Sequence, residues 1–174
     1  MLRSVLEKLG IAMPPARRRR SLRRAVPAGG RDMQRARVYR WESQHVLPHD
    51  REILSLDECA RLVERAYRWA EGPAADAAGW SPPVVSDGRG RRHACGSRQV
   101  IKLPRWARTR PVVLHECAHG LADDKHGPRF VARYIELVEH FMGLDRRVLH
   151  ASLAQHKVRI AIGDQLRPSR RQHP

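Results

Sequence analysis

The chain has 174 residues, 30% of them charged and 41% hydrophobic, with a formal net charge of +16. This length predicts one folded domain, and without an apolar run of about 18 residues the sequence excludes a membrane-spanning helix. The three cysteines, Cys59, Cys95 and Cys117, match neither a disulfide framework nor a cysteine metal site, and an odd number without a secretory signal points to a reducing cytoplasm.

The positive charge sits at the two ends. Eleven arginines and Lys8 against Glu7 and Asp32 give residues 1–40 a net +10, residues 157–174 carry +4, and +2 remains for the stretch between. The block Arg17 to Arg20 with Arg23 and Arg24, flanked by Pro14-Pro15, Pro27 and Gly29-Gly30, has too little apolar surface to offset the entropy of ordering. Residues 1–30 are therefore expected to be a disordered basic extension and residues 163–174 a disordered basic tail, with the folded domain over 31–162. Such tails attach weakly to nucleic-acid phosphates, but no aromatic residue precedes Tyr39 to provide a stacking surface.

Within the domain, Gln34 to Trp41 reads as a strand, with Val38, Tyr39 and Trp41 as β-formers. Ser55-Leu56-Asp57-Glu58 is a capping box. It opens a helix through about Ala70 with Leu56, Ala60, Val63, Tyr67 and Ala70 on one face, ended by Gly72-Pro73. Gly79 to Gly90 is turn-rich around Val84-Val85, and Arg98 to Leu103 is a second strand. A helix spans about Arg110 to Ala122, with Pro111 in its first turn, where a missing N–H costs little. Pro128 opens the next helix, which stops at Gly143 and turns Phe130, Tyr134, Leu137, Val138 and Phe141 inward. A last helix covers about Asp145 to Gln155, and Val158 to Ile162 is expected to return to the sheet. The predicted fold class is α+β, a short sheet packed against one central helix and two to three further helices.

That central helix carries His115-Glu116-Cys117-Ala118-His119. Residues four apart lie one above the other on a helix, so the two imidazoles can meet one zinc ion at about 2.0–2.1 Å. Glu116 sits beside them, where a general base for an activated water belongs. Two His donors leave room for a third protein ligand and an open position, the catalytic rather than the closed structural arrangement. His126, just past the helix, is the natural third ligand; Glu136 and Glu139 on the next helix are the alternatives.

His115-Glu116-x-x-His119, a short loop and His126-Gly127-x-x-Phe130 resemble the SprT-like and WLM-like small zinc metalloproteases, which are zincins. Residues 31–42 and 101–110 are similar to a compact actinobacterial metallohydrolase family, and the resemblance covers about residues 31 to 160. It implies a small zincin-like domain, Zn²⁺, the ligands His115, His119 and His126, and Glu116 as base, but no particular substrate. It also implies an edge strand beside the site that binds extended peptide, with Val100-Ile101-Lys102-Leu103 as the candidate. The metzincin pattern does not fit, because Ala122 holds its glycine position and His126 lies seven residues after His119. Tyr134 and Arg129 are possible oxyanion donors, whereas His93, His140 and His150 read as surface or packing residues. The expected function is a monomeric cytoplasmic zinc metallohydrolase, a peptidase. A hydrolase of a small non-peptide amide and a nucleic-acid-associated protein acting through its tails are the alternatives.

Overall fold

The computed structural model describes residues 32–72 and 81–162, so the disorder expected for 1–30 and 163–174 concerns residues outside those described. Five helices and a three-stranded sheet make up the described part, an α+β domain. No helix among these residues is long and apolar enough to cross a membrane.

Helix α1 (Arg35–His45) replaces the strand expected at Gln34 to Trp41. Gln34, Val38, Trp41 and Glu42 are buried while Ala36 and Arg40 are exposed. That spacing of three and four is a helical stripe; a strand would bury alternate residues. Arg35, Ala36, Arg37 and Arg40 are good helix formers and outweigh the β-branched and aromatic residues among them. The buried face ties α1 to the far end of the chain. Trp41 Nε1 donates to Ser152 Oγ at 2.8 Å. The Gln34 amide grips the Arg159 backbone from both sides, donating to its carbonyl at 3.0 Å and accepting from its N–H at 2.9 Å.

Helix α2 (Leu56–Glu71) opens on the expected capping box, with Glu58 N–H donating to Ser55 Oγ and Ser55 N–H to Glu58 Oε2. Its inward face is Cys59, Leu62, Val63, Ala66 and Tyr67. The expected Ala60 is exposed, and Leu56 and Ala70 lie at the margin, because the stripe is rotated by one residue from the predicted one.

Strands β1 (Val84–Asp87), β2 (Cys95–Gly96) and β3 (Val100–Leu103) form a sheet in the order β1-β3-β2. β3 runs parallel to β1, with Val85 opposite Ile101, and antiparallel to β2, with Gly96 opposite Ile101. Val100–Leu103, expected to be the edge strand, is therefore central. Both sides of its backbone are already paired, and the edges are β1 and β2.

Helices α3 (Arg110–Leu121), α4 (Pro128–Met142) and α5 (Arg146–Gln155) follow. α3 is packed against α2, α4 and β2, so that Val113 through Ala118 are all buried. It meets β2 at backbone distance: a Cβ on Gly96 would stand 2.1 Å from the Glu116 carbonyl oxygen, and one on Gly120 would stand 2.9 Å from the carbonyl oxygen of Ser97, just after β2. Only glycine permits this approach. α4 starts at Pro128 and ends at Gly143 in the left-handed conformation, φ 68°, and buries Phe130, Tyr134, Leu137 and Val138 as expected, while Phe141 is half-exposed. Residues 158–162 do not join the sheet. Ala161 N–H donates instead to the Pro128 carbonyl at 2.9 Å, at the start of α4.

Candidate metal centre

The middle of α3 presents His115 and His119 one turn apart, and His126 arrives from the loop between α3 and α4. A donor atom from each of the three lies within 4.8 Å of the other two. Local chemistry shapes that loop. Asp124 accepts from the backbone N–H groups of Arg129 and Phe130, at 2.8 and 3.0 Å, and so ties the loop to the first turn of α4. Lys125 adopts φ 58°, rare for a residue with a Cβ, and reverses the chain immediately before His126. His126 is thereby folded under α3 and left 5% exposed.

Two carboxylates ten residues apart, one just before α1 and one on it, orient the imidazoles. His115 Nδ1 lies 3.0 Å from Glu42 Oε1, and His126 Nδ1 lies 2.6 Å from Asp32 Oδ2. An ionised carboxylate only accepts, so each Nδ1 carries a proton, and in the neutral imidazole each Nε2 keeps its lone pair. Those two Nε2 atoms face one another at 3.3 Å. Two buried lone pairs pointed at each other are unfavourable, at about 1–3 kcal/mol for each unsatisfied group, and a shared cation removes the penalty. Two zinc–nitrogen bonds of about 2.0–2.1 Å at a tetrahedral angle place their nitrogens roughly 3.3 Å apart. The donor set and its carboxylate–histidine pairs therefore fit a zinc ion.

The electrostatics follow from burial. His119 has its proton affinity pulled down, to a pKa of about 3, by burial and then by the positive charge that His115 and His126 can carry. His126 is lowered, mainly by burial, against the opposing hydrogen bond from Asp32. For His115 burial acts downward as well, but Glu42 overcomes it and the net shift is upward. A cation at this point competes with a proton chiefly at His115. The Glu116 carboxyl is raised, first by burial and then by Glu42, against His115 and the Gly96 amide. It is buried, 6% exposed, and a raised carboxyl beside three imidazoles suits a proton acceptor.

Phe130 fills the space behind the imidazoles, with ring centroids 4.9, 4.5 and 5.0 Å from His115, His119 and His126. The Tyr134 hydroxyl donates to Glu42 Oε1 at 2.7 Å and lies 3.2 Å from the Pro111 carbonyl. It is fully buried and holds Glu42 in place, so it is not the oxyanion donor considered from sequence. Arg129 is paired with Asp123. The alternative ligands Glu136 and Glu139 point elsewhere, to Arg133 at 2.8 Å and Arg146 at 2.7 Å. His93, His140 and His150 are exposed, and His140 stacks on Trp69 at 4.5 Å. Cys117 is buried, and burial pushes its thiol well above the ordinary range. A cavity of about 710 Å³ opens beside His119, bounded by β2, Gly120 to Asp123 and the arginines 98, 129 and 133.

Asp32, Tyr39, Glu42 and Phe130 were not recognised as site residues from the sequence. Asp32, Arg35, Tyr39 and Glu42 are spaced by three, four and three, a helical signal that the strand reading hid. The chain matches no family model, no curated protein and no solved structure.

Proposed function

We propose that this chain is a zinc-dependent metallohydrolase, and specifically a peptidase, of the SprT-like kind its motif resembles. One observation carries the reading: three inward-facing imidazoles converge, and the two whose Nδ1 atoms are held by Asp32 and Glu42 aim their Nε2 atoms at each other across 3.3 Å. His115, His119 and His126 would hold the metal. Bound zinc supplies Lewis acidity and lowers the pKa of a water. Glu116 would take a proton from the attacking water on its carboxylate and deliver it to the leaving nitrogen. Asp32 and Glu42 keep the imidazoles in one tautomer and orientation. Phe130 and the buried end of α3 exclude bulk water from behind the site. The cavity beside His119 gives a substrate room next to the centre.

The three cysteines are free, and two of them, Cys59 and Cys117, are buried as reduced thiols, which supports placing the protein in the cytoplasm. We further take it as a monomer whose basic ends supply no more than weak, salt-sensitive nucleic-acid attachment.

Elemental analysis of the purified protein is the primary test. About one zinc per chain, lost in His115→Ala and His126→Ala, supports the reading, and metal-free protein from zinc-replete cells sinks it. Digestion of a peptide library by the loaded protein, absent in Glu116→Gln, separates a peptidase from a hydrolase of small amides.

A further inference from the structure

Arg35 and Tyr39 stand one turn apart on the outer side of α1. The Tyr39 ring stacks on His115 at 5.7 Å and meets His126 edge-on at 4.9 Å, yet the residue is 40% exposed. It covers the imidazoles and meets solvent at once. The Arg35 guanidinium lies 5.3 Å over the same ring.

Arg98, Arg110, Arg129, Arg133 and Arg146 each hold a carboxylate. Among the described residues no carboxylate pairs with Arg35. A fixed positive charge beside a centre that holds a cation is repelled by it. An anion placed between the two is attracted by both.

Resting on the metallohydrolase reading, we propose that Arg35 and Tyr39 form an anion-binding pair at the rim of the three-histidine centre, which engages an anionic oxygen of the bound substrate. The guanidinium offers a fork of N–H donors with a permanent charge, and the phenol offers one O–H donor. Two sources present that chemistry. One is the carbonyl oxygen of the scissile bond, which takes up the π electron pair as water adds to the carbon. The other is a carboxylate that the substrate already carries.

The test uses the full-length protein loaded with cobalt(II), whose visible absorption reports ligands at the metal. Inorganic phosphate is the tetrahedral probe and acetate the planar carboxylate. Arg35→Gln and Tyr39→Phe are each expected to weaken phosphate binding by about tenfold or more, the scale of a lost charge-assisted hydrogen bond. Cobalt affinity, read by chelator competition, does not fall, because neither residue orients a ligand nitrogen through its polar end and loss of the Arg35 charge can only tighten cation binding. Arg35→Lys recovers part of the binding through charge alone. Wild-type preference for phosphate assigns the pair to the developing oxyanion, and equal affinity for acetate assigns it to a substrate carboxylate. Unchanged binding of both anions in both variants, with cobalt bound, overturns the pair while leaving the metal centre standing. A protein that takes up no cobalt overturns the metal reading, and the pair with it.

Discussion

Glu42 and His115 are separated by 73 residues, yet Glu42 Oε1 lies 3.0 Å from His115 Nδ1 and also accepts the Tyr134 hydroxyl at 2.7 Å. One carboxylate oxygen therefore joins α1, α3 and α4 directly behind the centre. Orientation of a ligand by such a partner is worth about 10–100-fold in metal affinity. Glu42→Gln is expected to weaken zinc binding by that factor in a chelator competition, as is Asp32→Asn through His126. Unaltered affinity in both variants would show that the imidazoles are positioned without them.

Glu116 is assigned to proton transfer rather than coordination. Glu116→Gln should keep zinc within a few-fold of the wild type while lowering turnover by about 100-fold or more. Loss of metal together with activity would count against the assigned mechanism.

The third ligand is tested by comparing three single variants by native mass spectrometry. His126→Ala is expected to lose zinc, whereas Glu136→Ala and Glu139→Ala retain it, since those carboxylates are engaged by Arg133 and Arg146. The opposite pattern would move the site to the outer face of α4.

Asp124 holds the loop that delivers His126. Its replacement by Ala frees two backbone N–H groups at the start of α4, and loss of such a cap costs about 0.5–2 kcal/mol. For a domain of this size that lowers the melting temperature by roughly 1–8 °C, at about 2–4 °C per kcal/mol. A fall in zinc affinity should accompany it, because the same loop carries His126.

Thiol reactivity should separate the cysteines. Burial raises Cys59 to about 11 and Cys117 further still, while Cys95 is half-exposed on β2. A raised thiol stays protonated, and only the thiolate reacts. Native protein at pH 8 should take one equivalent of iodoacetamide, at Cys95, and three equivalents only after unfolding. Rapid modification of Cys117 in the native protein would mean that α3 is not packed as described.

A chain trimmed to residues 31–162 should melt cooperatively near the full-length temperature, keep its zinc and lose low-salt retention on DNA. Salt-resistant DNA binding by the trimmed chain would place a nucleic-acid site in the folded body.

What the sequence determined by itself was short in range. The capping box Ser55/Glu58, Pro111 in the first turn of α3, and the Pro128 to Gly143 limits of α4 are decided within a few residues by caps and steric rules, and the structure reproduces them. The pair His115/His119 with Glu116 follows from the helical repeat alone. Only the tertiary structure decided the rest. Val38, Tyr39 and Trp41 favour a strand locally, but burying Val38, Trp41 and Glu42 together requires a helix. Val100–Leu103 is central because β1 and β2 both pair with it, and no pattern within four residues reports how many partners a strand has. Asp32 and Glu42 become partners of His126 and His115 across 94 and 73 residues. A carboxylate on a lone helix is an ordinary solvated group; what makes it an orienting acceptor is the desolvation and contact imposed when separate elements close over the same few ångströms.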